Sequence, residues 1–445
     1  MEWTDLLSPK RLRRLMEEKG ISPPYTDFRT SFEQDYGRAV FCTPVRRLQH
    51  KAQVFPLEPI DAVRTRLTHS MEVSSVARSM TRATVRRISD LDEQQRYDIE
   101  TIAATCGLLH DTGNPPFGHF GEAAIRSWFK KSQLLEDMPP EYAKDFEFFE
   151  GNAHTIRLVS KLQVLSDFRG LNLTAGTMSA LLKYTASSQE IDQSKNARQS
   201  KRKLGFFRAE APEISKIQDE TKTGNNRNPI TFLVEASDDI VFLTVDLEDA
   251  IKKGVIRWDD AAAALGEYAT SLFDQVKEFK ENCKTLHSGR AMDEAQAQYF
   301  RTTAIRAGAK AVSDCFLGNY NAIMSGEWDK ELLYESAEGE FFRNLRRFSV
   351  EHIYNAKQTI QLEILGYNVM HDLLNLFGNA DRDAKRTTFE RKLYDLMSKN
   401  YRAVYEKALP SQPTAYCKAL LLTDYICGMT DSFAVRLHRD LTLRT

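Results

Sequence analysis

The stretch GLLHDTGNPPFGHFGE, residues 107–122, is the most specific part of this sequence. It follows an apolar pattern of helical spacing that runs from Ile99 to Leu109. His110 and Asp111 are adjacent at the end of that pattern, where an imidazole and a carboxylate can turn towards one point. Both groups bind divalent cations of the Mg, Mn, Fe or Zn range. The stretch therefore predicts a metal site in a helical protein.

Two other helical patterns carry residues that can complete such a site. His69 lies on the first of them, residues 67–88. Asp238, Phe242 and Asp246 stand four residues apart on the second, residues 231–251. Residues at this spacing line one face of a helix. Two acids on one stripe are costly to bury without compensation, and the apolar flanks argue against full exposure. We favour a site over the alternative, a solvated acidic face.

Helical periodicity predicts an all-α fold. The clearest helices span residues 67–88, 231–251 and 414–436. The best strand signal, Ala39–Phe41, is too short to support a sheet. Residues 187–228 are poor in apolar side chains and rich in Lys, Arg, Ser and Asn, which predicts a long irregular basic loop.

Composition excludes several classes of protein. The 445 residues are 42% hydrophobic and 28% charged, which is ordinary for a globular protein. The formal net charge of −1 gives no global basic field for nucleic acid. Six scattered cysteines without a Cys-x-x-Cys pair predict thiols in a reducing compartment. Without a signal-peptide pattern or a membrane-length apolar run, we expect a cytoplasmic protein that makes no membrane contact.

The chain resembles a known family of hydrolases. His69, His110, Asp111 and Asp238 match the H…HD…D signature of the HD superfamily. More narrowly, the chain resembles the dGTPase-type deoxynucleoside triphosphate triphosphohydrolases over almost its whole length. The matching segments are Phe32–Asp35, Arg46–Gln49, Gln53–Pro56, Arg64–Glu72, Gly107–Glu122, Phe149–Asn152, Leu182–Tyr184, Glu235–Ile240, Asp246–Asp249 and Asp424–Asp431.

The resemblance implies an all-α HD-domain core elaborated by a large C-terminal helical region. We place the catalytic core at residues 1–254, with the basic loop 187–228, and the C-terminal region at residues 255–445, where it packs on the core and serves oligomerisation. The implied reaction is metal-dependent hydrolysis of dGTP, or of another dNTP, to a deoxynucleoside and inorganic triphosphate. Mg or Mn is the expected cation.

The resemblance also implies a role for each site residue. It assigns the metal to His69, His110, Asp111 and Asp238, catalysis to His119, Glu122 and Glu150, and substrate contacts to Gln53, Arg66, Lys183, Tyr184, Phe242 and Asp246. His119 is the proton donor or the water-positioning residue, and either Glu122 or Glu150 orients it. Phe242 stands where relatives often carry Tyr, so a hydroxyl contact to the sugar is missing.

The sequence also offers basic residues for the triphosphate, and the resemblance implies partners for the protein. A triphosphate needs nearby positive charge, and the candidates are Arg46, Arg47, Arg64, Arg66, Lys183 and the cluster of residues 195–203. For the cluster, a solvated polar loop is the alternative. Relatives imply a homo-hexamer and single-stranded DNA as a partner, with Lys195–Arg208 as the candidate surface. The remaining histidines, including His154, are predicted to be surface or satisfied core residues.

Two competing hypotheses stay open. The first is an HD phosphohydrolase that acts on a nucleoside monophosphate, a cyclic nucleotide or an alarmone, and its products would differ. The second is a nucleic-acid-binding or regulatory protein whose HD site is vestigial. The intact set of metal-ligand residues argues against the second.

Overall fold

A computed structural model describes residues 1–16, 28–57, 60–163 and 168–442 of the chain. Within these ranges it contains 24 α-helices, a few short 3-10 and π-helical turns, and no β-strand. The predicted all-α fold is confirmed. No helix in the same ranges combines the length and the apolar character needed to cross a membrane.

The first part of the chain supplies the helices that carry the predicted site. They are α1 (Trp3–Leu6), α2 (Leu12–Met16), α3 (Ser31–Phe41), α4 (Thr43–Arg47), α5 (Arg66–Val85), α6 (Glu93–Leu109), α7 (Gly118–Phe129), α8 (Gln133–Glu136), α9 (Pro140–Glu147), α10 (Gly151–Arg157), α11 (Ala175–Leu181), α12 (Ala211–Thr221) and α13 (Pro229–Lys253).

The second part of the chain continues as helices. They are α14 (Trp258–Leu265), α15 (Thr270–Cys283), α16 (Arg290–Gly318), α17 (Tyr320–Ser325), α18 (Leu332–Glu335), α19 (Gly339–Ser349), α20 (Lys357–Phe377), α21 (Phe389–Leu396), α22 (Lys399–Ala408), α23 (Thr414–Cys427) and α24 (Asp431–Thr442).

Helices α5, α6 and α13 form the centre of the fold. α5 packs along α6, and α13 packs against both of them. Local sequence fixes where α5 and α6 begin, because Thr65 and Asp92 each accept the backbone N–H three residues later and close a capping box. α13 begins at an Asn228 cap followed by a proline, and it ends at Gly254 in the left-handed conformation. Fixed helix ends hold the residues between them in register.

The C-terminal helices pack directly on this centre. α16 lies against α13 and α5, while α20 lies against α7 and α24. One continuous hydrophobic cluster contains buried side chains from Trp3 to Ala434. The division at residue 254 stays a prediction, since nothing in this packing tests it.

Ala39–Phe41, the best strand signal in the sequence, is the last turn of α3. Two of the predicted elements are wrong in detail. The helix predicted over 414–436 is two helices, because Thr430 caps a new helix by accepting the N–H of Phe433. The segment 187–228 is not irregular throughout, since its last part forms α12, which buries Ile214 and Ile217.

Candidate active site

Three of the predicted metal ligands converge between the central helices. His69 of α5, His110 directly after α6, and Asp238 of α13 bring ligand atoms within 4.8 Å of one another. Oδ1 of Asp238 lies 3.1 Å from Nε2 of His69 and 3.4 Å from Nε2 of His110. Two imidazole nitrogens and a carboxylate that face one point form a donor set for a divalent cation.

The hydrogen bonding of His110 fits such an ion. Nδ1 of His110 lies 2.8 Å from the carbonyl oxygen of Gly107, so this nitrogen carries the proton and donates it to the carbonyl. In the neutral ring Nε2 of His110 therefore carries the lone pair, and this atom is buried without a hydrogen-bond partner. A buried imidazole lone pair beside the Asp238 carboxylate is what a metal-ligating histidine presents.

Asp111 lies at the edge of this three-residue cluster. Its Oδ1 atom is 3.6 Å from Nε2 of His110. Both oxygens of Asp111 already accept hydrogen bonds, one from Nη1 of Arg66 at 2.5 Å and one from Nδ2 of Asn114 at 2.5 Å. Arg66 thus pairs with a candidate metal ligand, and Gly118 permits its close approach, because a Cβ there would lie 2.5 Å from Nη2 of Arg66.

The electrostatics of the site favour a positive charge. Burial opposes protonation of His110, but the carboxylates of Asp111 and Asp238 outweigh it and raise the pKa of His110 to about 9. Burial likewise opposes ionisation of the two acids. Arg66 and His110 nevertheless lower the pKa of Asp111 to about 2, and His110 holds the pKa of Asp238 well below its usual range. A field that stabilises an imidazolium at this point also stabilises a metal cation.

His119 and Glu122 form a hydrogen-bonded pair near the start of α7. Nδ1 of His119 lies 3.2 Å from Oε2 of Glu122, and the His119 side chain is exposed whereas Glu122 is buried. The other oxygen of Glu122 accepts the backbone N–H of Gly151 at 2.8 Å. The hydrogen bond to Glu122 raises the pKa of His119. Since Nδ1 is engaged, Nε2 is the nitrogen left for proton transfer.

Glu150, the other predicted partner of His119, contacts different groups. Its Oε2 atom lies 3.2 Å from Nζ of Lys203, and its Oε1 atom accepts Nδ2 of Asn152 at 2.9 Å. Burial raises the pKa of Glu150. Nζ of Lys203 also lies 5.7 Å from the ring centroid of Tyr184. One residue of the predicted basic loop therefore reaches the site.

A small cavity of about 30 Å³ adjoins the metal-ligand cluster. It is lined by Cys106, His110, Asn152, Ala180, Leu181, Lys183, Thr231, Val234, Glu235 and Asp238. Nζ of Lys183 lies 3.7 Å from Oε1 of Glu235. Burial opposes the charge on Lys183, but Tyr184 and Glu235 raise its pKa well above the usual value. The charged ammonium of Lys183 therefore lines the same cavity as His110 and Asp238, two of the candidate metal ligands.

The predicted sugar contacts lie in buried surroundings. Tyr354 donates its hydroxyl hydrogen to Oδ2 of Asp246 at 2.6 Å, and burial raises the pKa of Asp246 to about 8. Oδ1 of Asp246 and Oε1 of Gln53 are both buried without a hydrogen-bond partner. Such acceptors fit a hydroxyl donor. Phe242 is half-buried one helical turn before Asp246.

Comparison with known proteins identifies the family. Residues 66–178 match the family model of the HD domain, and residues 335–440 match that of a phosphohydrolase-associated domain. Deoxyguanosinetriphosphate triphosphohydrolase-like proteins of Listeria monocytogenes and Listeria innocua are each 37% identical, with 99% of both chains covered. The chain belongs to the deoxyguanosinetriphosphate triphosphohydrolase family. A deoxyguanosinetriphosphate triphosphohydrolase of Yersinia enterocolitica is 31% identical, with 92% of this chain and 93% of that protein covered.

Membership of this family makes the chain an HD-domain phosphohydrolase. The HD-domain match contains His69, His110, Asp111, His119 and the rest of the α5–α7 part of the site. Asp238 lies beyond that match, on α13, so the fold brings the last carboxylate to the cluster from outside it.

Several other basic residues that were predicted to bind the triphosphate form ion pairs or hydrogen bonds away from the metal-ligand cluster. Arg64 pairs with Glu72, Glu248 and Asp249, and Arg47 donates to the hydroxyl of Tyr401. Arg46 donates to the carbonyl of Phe41 and to the hydroxyl of Thr43. In the basic loop, Arg198 pairs with Asp329 and Lys201 with Glu190. Arg66 and Lys183 are the two of the first five candidates that contact or line the metal-ligand cluster.

Sequence reasoning missed several groups that shape the site. They are Asn114, which donates to Asp111, Asn152, which donates to Glu150, and Tyr354, which donates to Asp246. Asn114 and Asn152 lie within matching segments and were open to detection there. Nothing in the sequence around Tyr354 marks it. His154 is a satisfied core residue as predicted, since it is buried and contacts the carbonyl of Gly113 and the carboxylate of Asp424.

Proposed function

We propose that the protein hydrolyses dGTP, or a related dNTP, to a deoxynucleoside and inorganic triphosphate. The observation that carries this proposal is the convergence of His69, His110 and Asp238 beside Arg66 and the His119–Glu122 pair. The relatives named for the same activity support the choice of substrate, because their similarity extends over nearly the whole chain.

In this proposal, His69, His110, Asp111 and Asp238 hold a divalent cation, Mg or Mn. When bound, the cation polarises the α-phosphoryl group and lowers the pKa of a coordinated water. The carboxylates of Asp111 and Asp238 are held ionised by the positive charges beside them, and the hydrogen bond from Nδ1 of His110 to Gly107 leaves Nε2 as the nitrogen that would exchange its proton for the cation. Asp111 joins the other three while keeping its hydrogen bond to Arg66.

Bond breaking in this reaction separates the α-phosphorus from the 5′-oxygen of the sugar. Water adds its oxygen to phosphorus, triphosphate departs with that oxygen, and the 5′-oxygen needs a proton. We assign His119 as the donor of that proton through Nε2. Glu122 supports this role in two ways, since it fixes Nδ1 as the bonded nitrogen and raises the pKa of His119.

The remaining site residues bind substrate. Arg66 and Lys183 supply charge for the phosphate groups, and the guanidinium of Arg66 offers several donors to phosphate oxygens. Tyr184 lies beside Lys183, and Lys203 adds a further cation near Glu150. The orphan oxygens of Gln53 and Asp246 are the two candidate acceptors for the hydrogen of the sugar 3′-hydroxyl, and Phe242 packs against the sugar without a hydroxyl of its own.

Product analysis tests the reaction directly. The purified protein is incubated with Mg²⁺ or Mn²⁺ and each of the four dNTPs, alone and mixed, and the products are resolved by ion-exchange chromatography. Triphosphate plus deoxynucleoside is the expected result, and it should vanish in a variant that carries both His110→Ala and Asp111→Ala. Pyrophosphate, orthophosphate or no turnover would overturn the proposal. Pyrophosphate or orthophosphate would favour an HD phosphohydrolase for another nucleotide.

Assembly and location belong to the same proposal. We expect a cytoplasmic homo-hexamer that also binds single-stranded DNA. The exposed apolar residues Ile360, Ile364 and Leu365 on α20 support self-association, and free thiols support a reducing compartment. Light scattering coupled to gel filtration tests the hexamer, and a steep loss of DNA affinity with salt tests the second partner.

A further inference from the structure

The loop between α6 and α7 carries Asp111 at its start and leads into His119. Side chains from other parts of the chain bind its backbone at three residues, Gly113, Asn114 and Phe117. Gly113 donates to Oγ1 of Thr155 at 2.9 Å, and its carbonyl oxygen lies 3.1 Å from Nδ1 of His154. Lys51 and Asp431 bind the loop at Asn114 and Phe117. A loop held at so many backbone atoms has little freedom to shift.

Lys51 makes the second connection. Its ammonium is buried and donates to the carbonyl oxygen of Asn114 at 2.5 Å and to that of Cys427 at 2.7 Å. Cys427 is the last residue of α23, so this one side chain joins the loop to the C-terminal region. Burial lowers the pKa of Lys51 to about 8. A buried ammonium is costly unless it is hydrogen-bonded, which makes a purely incidental placement unfavourable.

Asp431 makes the third connection, from the first residue of α24. Its Oδ1 atom accepts the backbone N–H of Phe117 at 3.0 Å, and its Oδ2 atom accepts the N–H of Ala52 at 2.8 Å. Phe117 has a left-handed backbone, with φ of 60°, which is strained for a residue with a side chain. Its ring lies against Gly366 of α20, where a Cβ would come within 2.5 Å of the ring.

We infer that Lys51 and Asp431 are positioning residues through which the C-terminal helices set the loop that carries the catalytic groups. Only a few contacts separate Lys51 and Asp431 from the residues of the site. Asn114, whose carbonyl Lys51 holds, also donates its side-chain amide to Asp111, and Phe117 stands two residues before His119. The region that matches a phosphohydrolase-associated domain thus contributes to the HD site without contacting substrate. The kinetic part of this inference rests on the proposed function, and its structural part does not.

The test compares Lys51→Met, Asp431→Asn and Asp431→Ala with wild type. Asn keeps one acceptor oxygen where Asp has two, so Asp431→Asn should lie between wild type and Asp431→Ala. Tyr416→Phe is the matched control, because Tyr416 is a buried residue of α23 whose hydroxyl bonds to Asp145 and to the N–H of Ala209, and not to the loop. For each protein we would measure amide hydrogen exchange without metal, Mn²⁺ affinity, kcat and KM.

Positioning predicts a local and graded effect. Exchange should accelerate in peptides that cover residues 112–120 and stay unchanged in those from α13, and Mn²⁺ affinity should fall by about 10-fold or more. kcat should fall by about 10- to 100-fold with KM within a few-fold of wild type, since small displacements of catalytic groups have effects of this size. Tyr416→Phe should leave the loop's exchange and kcat as in wild type.

Other outcomes overturn the inference. Unchanged exchange over 112–120 would do so, and so would acceleration spread evenly over the chain, because either result means that these residues do not hold the loop specifically. A variant that fails to fold, while Tyr416→Phe folds, would also count against it. If wild type cleaves no dNTP but the exchange and Mn²⁺ results hold, the proposed function fails and the positioning role stands.

Discussion

Nδ1 of His110 is bonded to the carbonyl oxygen of Gly107, one turn earlier in the chain, at 2.8 Å. This local contact decides which nitrogen of the ring faces Asp238. The last turn of α6 therefore prepares a metal ligand from its own backbone. Gly107 itself is required by packing, because a Cβ there would lie 2.9 Å from the backbone of Ser74 on α5. The same close approach brings the two histidine-bearing helices together.

Metal binding should stabilise the folded protein. His69, His110 and Asp238 come together only in the fold, so a cation that they bind favours the native state over the unfolded one. At a free Mn²⁺ concentration of about 100 times Kd, we expect about 2.7 kcal/mol of added stability, seen as a higher unfolding temperature in calorimetry. Asp238→Asn should lose this response to Mn²⁺. Asp372→Asn, which removes an exposed acid, should keep it, and an equal response in both variants would contradict the site.

Glu122→Gln should move the pH dependence of kcat. The pKa of His119 is raised by Glu122, and its protonated form is the proposed proton donor, so activity should be present below that raised pKa and lost as the pH rises through it. Gln keeps a hydrogen-bond acceptor but removes the charge. The falling limb of the profile should therefore shift to lower pH, while His119→Ala should reduce kcat by about 100-fold or more.

The control for this shift is Glu150→Gln. Glu150 contacts Lys203 and Asn152 and not His119, so the midpoint of the falling limb should stay where it is in wild type, whatever happens to the rate. A midpoint that moves equally in both variants would show that general electrostatics, and not the His119–Glu122 contact, sets the profile.

The sequence predicted the metal-ligand cluster better than it predicted the groups around it. His69, His110 and Asp238 are polar residues on apolar helical faces, and burying them there without a partner would be costly, so their convergence follows from periodicity and family pattern. The contact between His119 and Glu122 is an i, i+3 pair within α7, so helical spacing favours Glu122 over Glu150 as the partner of His119. The contact of Glu150 with Lys203 depends on tertiary packing, which no pattern encodes. Tyr354 reaches Asp246 only because α13 packs against the turn that holds residue 354.

The same reasoning explains the errors in the fold. The break at residues 428–430 depends on a hydroxyl cap at Thr430 inside an otherwise helical pattern, and on Asp431, whose carboxylate serves two distant backbone amides. Composition alone made residues 211–221 look irregular, although Ile214 and Ile217 are spaced for a helix and are buried. In both places the local sequence pattern gave the wrong secondary structure, because tertiary contacts determine it there.

Asp246→Asn should make stability less dependent on pH. Burial raises the pKa of Asp246 to about 8 in the folded state, above its unfolded value, so the folded protein retains a proton that the unfolded chain releases. The free energy of unfolding contributed by this group is thus greatest at acidic pH and falls as the pH rises towards 8. Asn does not titrate, and the stability of Asp246→Asn relative to wild type should increase by roughly 3–4 kcal/mol between pH 5 and pH 8.

Urea unfolding in the presence of EDTA measures this difference without interference from metal. Asp314→Asn is the reference, because hydrogen bonds from Arg87 and Lys310 lower the pKa of this exposed acid and confine its titration to more acidic pH. It should show no such change between pH 5 and pH 8. A flat difference for Asp246→Asn would mean that Tyr354 stabilises the ionised carboxylate enough to cancel the effect of burial.

The last prediction concerns Arg157, which ties the HD core to the C-terminal helices. Its Nε and Nη2 atoms donate to Asp424 of α23 at 2.7 and 2.6 Å, and its Nη1 atom donates to Glu210 at 2.8 Å. All three side chains are buried. Arg157→Met removes the charge but keeps much of the volume, and it leaves two carboxylates without their main cation. We expect a loss of about 3–5 kcal/mol in the free energy of unfolding, measured by urea denaturation.

Lys310→Met removes an exposed i, i+4 pair with Asp314 and should cost less than about 1 kcal/mol. Comparable losses in the two variants would mean that Asp424 and Glu210 take up protons or find other donors when Arg157 is gone, and that this network does not hold the two regions together.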